Sequence, residues 1–238
     1  MRNFLRKFKT SYLFVLPILF FIVSTFNNFK TIIFFNNISS QYKLNSIIQD
    51  SLLIDSSLNL TYKLFNDSSF TNREYYNLIN EYRIQGCGGS VLLFMNLLRS
   101  NGINAKIVQL TVNGIDGGHI VCEVETNNGV ALVDPLYKLI FNDSNGNLTS
   151  AKWVLDNLTH INRHEYYLNN TINSFSYTNW NKFGYFSKFI FRCFTIINKN
   201  FADNFSFRTL WFYYKIYFDL FMLFLTSFIV LYIFKKGK

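Results

Sequence analysis

Residues 86–137, GCGGSVLLFMNLLRSNGINAKIVQLTVNGIDGGHIVCEVETNNGVALVDPLY, decide how this chain folds. Behind the glycine-rich opening, Val91, Phe94, Met95 and Leu98 recur at helical spacing. A helix is therefore expected with Cys87 at its N-terminus and its stop at Asn101-Gly102, a favourable left-handed cap. Residues 103–112 are rich in β-branched and apolar side chains and read as a strand, followed by a glycine-containing loop over 113–118. Residues 119–125 and 130–134 read as two further strands joined by a short polar turn. Upstream, Thr71-Asn72-Arg73-Glu74 fits a capping box, and Tyr75, Leu78, Ile79 and Tyr82 continue it as one apolar helical face. Helix, Cys, helix and antiparallel sheet together define an α+β core in which a Cys-bearing helix packs on the sheet.

Three residues of this stretch have the chemistry of one site. A thiol acts as a nucleophile when ionised, and a helix N-terminus favours the thiolate, which is where Cys87 falls. His119 can take the thiol proton and return it to a leaving group, and Asp134 can fix the imidazole tautomer and support the imidazolium. The hairpin register decides whether the last two meet. A four-residue loop over 125–128 places them directly opposite each other. A two-residue turn at Asn128-Gly129 keeps them on one face but offsets them by four residues, roughly 13 Å at strand rise. Each residue alone has an ordinary structural reading: a core thiol, a satisfied histidine, an Asp-Pro strand end. Their order within matching helix and strand patterns is what groups them.

The blocks GCGGSVLLFMNLLRSNGINAKIV and GGHIVCEVETNNGVALVDPLY resemble the Cys helix, His strand and Asp strand of the transglutaminase-like superfamily of papain-related cysteine enzymes. The resemblance covers residues 86–137. It implies a papain-like core with Cys87 as nucleophile, His119 as general base and acid, and Asp134 as the orienting carboxylate. The reaction class it implies is acyl transfer or amide hydrolysis through a thioester. Two positions depart from the pattern: Gly88 replaces a bulky residue after the Cys, and Val121 replaces an aromatic two after the His. For the oxyanion and substrate, the Cys87 N–H, Gly88 and the Gln85 side chain are the candidates. The alternative is a catalytically inactive protein of the same fold that binds a peptide or serves an assembly.

Composition sets the surroundings. Of 238 residues, 50% are hydrophobic, 19% aromatic and only 16% charged, against roughly 25% charged in an ordinary soluble domain. The basic excess, 23 against 14, sits at the ends: Arg2, Arg6, Lys7, Lys9, Lys235, Lys236 and Lys238 are seven charges without an acid among them. Their removal leaves 16 against 14, too balanced for a phosphate-binding groove, so no nucleic acid is expected. The three cysteines, 35 and 71 residues apart, form neither a disulfide framework nor a paired zinc motif. Strand alternation points Cys122 away from His119, and His160 with His164 has no third ligand. Neither a metal nor another cofactor is expected.

The ends read as lipid-facing. Residues 11–26, SYLFVLPILFFIVSTF, follow a basic flank and precede Lys30. They are short for a span of about 20 residues and suit a signal peptide too, but no cleavage site of small residues follows, so an uncleaved signal-anchor is expected. Residues 216–234 hold Asp219 as their only charge, one turn after Lys215, with Trp211 ahead and three lysines beyond, as in a transmembrane helix. The expected architecture is thus the α+β core flanked by two transmembrane helices. Its parts are a basic flank and anchor (1–30), a transglutaminase-like domain (31–150), a helical, partly amphipathic membrane-proximal region (151–208) and a C-terminal span with basic tail (209–238). Both termini are expected to be cytoplasmic and the domain extracytoplasmic, with the lipid bilayer and a peptide or protein substrate near its surface as partners. The aromatic and basic residues of 177–207 suggest a helix lying on that surface.

Overall fold

The computed structural model describes residues 10–66, 79–80, 86–114, 118–157, 165–177, 192–197, 220, 222–228 and 231–232. They divide into two compact units, one within Phe34–Thr209 and one drawing on Met1–Ile33 and Leu210–Lys238. In chain order the elements are α1 (Thr10–Gln41), a 3-10 turn (Leu44–Ser46), α2 (Asp50–Asn66), α3 (Cys87–Ser100), β1 (Ala105–Val112), β2 (His119–Thr126), β3 (Gly129–Asp134), β4 (Leu139–Ile140), α4 (Ala151–Asp156), α5 (Glu165–Asn169) and β5 (Ile172–Ser176).

Among the described residues, five strands form one antiparallel sheet in the order β4-β3-β2-β1-β5. The central strands β1, β2 and β3 come from the stretch whose apolar, β-branched residues read as strands. Because side chains alternate along a strand, the sheet has two buried faces. Val108, Leu110, Val121 and Leu132 share one face, in a cluster with Phe141, Val154 and Tyr167 from the chain that follows β3. The opposite face, with Ile107, Cys122, Val124, Ala131 and Val133 buried, is left to α3, which packs on β2 and β1. That helix is buried from Gly88 to Leu98. It cannot be a one-sided surface helix, because α2 covers it in turn with Leu53, Ile54, Leu58 and Leu64 buried. The result is an α+β fold with an antiparallel sheet.

The hairpin between β2 and β3 takes neither register weighed from the sequence. Thr126 faces Gly129 and Cys122 faces Val133, so the turn is Asn127-Asn128. Thr126 holds it from within, its hydroxyl donating to the Gly129 carbonyl at 2.8 Å and accepting from the Asn128 N–H at 3.2 Å. Asp50, in the first turn of α2, holds it from outside by accepting the Asn127 N–H at 2.8 Å. A long-range partner thus helps to choose among turns that are locally equivalent.

The expectation of two flanking transmembrane helices, and with it the two-span placement with cytoplasmic termini and an extracytoplasmic domain, is overturned. Among the described residues no helix is long and apolar enough to cross a membrane. The apolar run of 11–26 does not end its helix: α1 continues past Lys30 through Asn36, Asn37, Ser39 and Ser40. Its last turns belong to the globular unit, where Phe34, Phe35 and Ile38 are buried and Ser39 hydrogen-bonds Ser100. Of the second expected span, residues 220, 222–228 and 231–232 are helical and the rest lies outside the described residues. The same holds for Gln85, His160, His164 and most of 71–82 and 177–207.

Leu132 is fully buried in the centre of the sheet. Leu132→Ala is expected to lower the unfolding free energy by about 2–5 kcal/mol, measured as a lower urea midpoint with an unchanged slope.

Candidate active site

Cys87 is the first residue of α3, preceded by Gly86 at φ 57° and ψ −131°, a conformation that side chains resist. No side-chain cap competes for the N–H groups of the first turn. The Gly88 N–H is therefore free to donate to the Cys87 sulfur, and the Ile120 N–H does so from β2. Gly88, a sequence candidate for the oxyanion, here serves the thiol.

His119 is the first residue of β2. Gly118 before it sits so close to β1 that a Cβ would lie 1.9 Å from the Leu110 carbonyl oxygen. Only glycine permits that approach, and it places His119 opposite Leu110 at the end of the ladder. Asp134 is the last residue of β3. Continuing the observed register sets Asp134 opposite Val121, which makes His119 its diagonal neighbour on the same face. Diagonal Cα atoms lie about 7–8 Å apart, within reach of an imidazole. His119 Nε2 and Asp134 Oδ2 meet at 2.7 Å.

That bond leaves Nδ1 for the Cys87 thiol, with which His119 also hydrogen-bonds. Cys87, His119 and Asp134 are thus one connected line. Asp134 has no exposed surface, and four donors surround its carboxylate. Oδ1 accepts the N–H groups of Leu136 at 3.0 Å and Tyr137 at 3.4 Å, in the turn that Pro135 begins. Oδ2 accepts His119 and the Tyr167 hydroxyl, the latter at 2.5 Å.

The electrostatics follow from this enclosure. Burial by itself raises the Cys87 thiol, but the hydrogen bond and charge of His119, with the N–H groups of Ile120 and Gly88, outweigh it and bring the thiol below its ordinary value. Burial by itself lowers His119, but the bonds and charges of Asp134 and Cys87 outweigh that too and raise it to about 9. The two shifts together favour a thiolate beside an imidazolium at neutral pH.

Tyrosines surround the imidazole. Tyr137 stacks on the imidazole with ring centres 5.5 Å apart, Tyr166 lies tilted at 4.9 Å, and Tyr167 meets it edge-on at 6.0 Å. These rings come from the turn between β3 and β4 and from α5, while Val121 is buried in the sheet. Nothing in the spacing of Tyr166 and Tyr167 marks them from sequence, since they come from beyond the resemblance and reach the site only through packing. Cys122 is buried on the opposite face, its thiol pushed well above the ordinary value by burial. Among the described residues no three His, Cys, Asp or Glu side chains are grouped as metal ligands. Comparison of the chain with known protein families, with characterised proteins and with solved structures found no match.

The raised His119 value sets a sign for stability. Protonation of His119 favours the folded state, a contribution whole below about 6.5 and lost as pH rises through about 9. In the thiolate–imidazolium pair Cys87 gives up a proton where His119 keeps one, so the two contributions oppose each other over this range and Cys87→Ser exposes that of His119. Urea unfolding over this pH range is expected to show a decline with rising pH in Cys87→Ser that is absent in Cys87→Ser/Asp134→Asn, where burial acts on His119 without a charge to oppose it.

Proposed function

We propose that this chain is a cysteine enzyme of the transglutaminase-like kind, which transfers an acyl group or hydrolyses an amide through a thioester on Cys87. The reading rests on one observation, the hydrogen-bonded line from the Cys87 thiol at a helix N-terminus through His119 to buried Asp134. The thiolate attacks the carbonyl carbon of a peptide or protein substrate, the C–S bond forms and the carbonyl electron pair moves onto oxygen. The Cys87 N–H, with no partner within the helix at this first position, is the donor placed for that oxyanion. The carbonyl then re-forms, the bond to the leaving amine or alcohol breaks, and the His119 imidazolium supplies its proton from Nδ1.

In the second half a water or an amine attacks the thioester while His119 takes its proton. The C–S bond breaks and the thiolate returns. Water gives hydrolysis and an amine gives transfer, so the choice depends on which nucleophile the pocket admits. Asp134 holds the imidazole with Nδ1 toward the sulfur. Tyr137 and Tyr166 flank the imidazole, where they can exclude water from the proton in transit.

Alkylation of Cys87 by iodoacetamide tests this, with Cys87→Ser as the blank for the other two thiols. At about pH 6.5 the His119→Ala rate is expected to be roughly 10–100-fold below wild type, since an ordinary thiol is largely protonated there. The wild type should also form a Cys87 acyl adduct with an activated ester, detected by mass. A rate indifferent to His119 and no adduct would leave a non-catalytic peptide-binding module in place of the enzyme.

A further inference from the structure

Asp134 Oδ2 is shared. It accepts both His119 Nε2 and the Tyr167 hydroxyl, while Oδ1 is fixed by two backbone N–H groups of the following turn. Tyr167 is buried, comes from α5 rather than from the elements that carry the triad residues, and has its ring held against Phe141 at 5.2 Å between centres. A tyrosine could have been buried here by packing alone with its hydroxyl satisfied by backbone. Instead the hydroxyl donates to the one oxygen that holds the imidazole.

We propose that Tyr167 is a positioning residue that sets the acidity of the His119 imidazolium by competing with it for Asp134 Oδ2. A donor at a carboxylate oxygen draws off part of the negative charge that the oxygen offers to a second donor. With Tyr167 in place the carboxylate supports the imidazolium less strongly than an unshared oxygen would, so the imidazolium gives up its proton more readily. A histidine held at about 9 is a slow proton donor if raised further, and Tyr167 limits that rise. The two backbone donors on Oδ1 keep the carboxylate in place when the hydroxyl is removed, so the effect of its loss is one of charge rather than of orientation. Its meaning for turnover rests on the acyl-transfer reading, but the titration itself does not.

The experiment is the titration of His119 by NMR of its ring carbons in the full chain, assigned by the signal lost in His119→Gln. Tyr167→Phe keeps the ring and removes the donor, and is expected to move the His119 midpoint upward by roughly half to one pH unit. Phe141→Leu perturbs the packing of Tyr167 without touching its hydroxyl and is expected to leave the midpoint in place. An unmoved or lowered midpoint in Tyr167→Phe, or an equal rise in Phe141→Leu, overturns the proposal. If Tyr167→Phe does not fold, a fluorinated tyrosine at this position strengthens the donor in the same shape. A lower midpoint then supports the proposal, and no change overturns it. Because this readout needs no reaction at Cys87, a thiol that proves inert to iodoacetamide removes the enzyme reading and leaves the Tyr167 result standing.

Discussion

A carboxylate withdrawn from water must be matched by donors, and the buried Asp134 is the constraint around which this structure is arranged. One side of it is met locally, by the Leu136 and Tyr137 N–H groups of its own turn. The other is met only at long range, by His119 from the neighbouring strand and Tyr167 from α5. Loss of His119 leaves the carboxylate without its charged partner and loss of Tyr167 leaves it one donor fewer, so the sheet register and the docking of α5 are tied to the same oxygen. The imidazolium that satisfies Asp134 in turn stabilises the Cys87 thiolate, and the first turn of α3 adds its own N–H groups.

That chain of dependence links elements that differ in how they could be read. Cys87 at the head of a helix follows from the glycines of 86–89 and the apolar spacing beyond them. The strands follow from β-branched runs, and the stop at Asn101-Gly102 is kept by the structure, with Asn101 as the last cap and Gly102 at φ 82°. The hairpin was different, because Asn127, Asn128 and Gly129 allow several turns of similar local energy. A local contact by Thr126 and a distant one by Asp50 of α2 together select the one observed. The diagonal contact between His119 and Asp134 is the consequence.

Other elements were hidden for physical reasons that can be named. In α2 the buried stripe contains Ser57 and Thr61 among its leucines, so the apolar period is broken although the face is buried. Thr61 tolerates this by donating its hydroxyl to the Ser57 carbonyl at 2.7 Å. The strand β5 is short and bears the exposed residues Asn173 and Ser174, yet it pairs with β1 and extends the sheet. The apolar run of 11–26 reads as a span because apolarity alone does not distinguish lipid from a protein core, and it does not show that its helix continues into residues that pack inside the domain. Phe34 and Phe35 are among those residues.

The sequence by itself determined the α+β class, the helix that presents Cys87, the strands that carry His119 and Asp134, and the face of β2 that keeps Cys122 away from them. Periodicity and backbone preference act over a few residues, so features of that range are written in the order of the side chains. Tertiary structure decided the register that brings His119 to Asp134, the use of the Ile120 N–H as a donor to the thiol, the tyrosines around the imidazole and the fate of the apolar end of α1. Each of these depends on groups distant in the chain sharing one buried space, where the cost of an unmatched charge or an unfilled volume selects the arrangement.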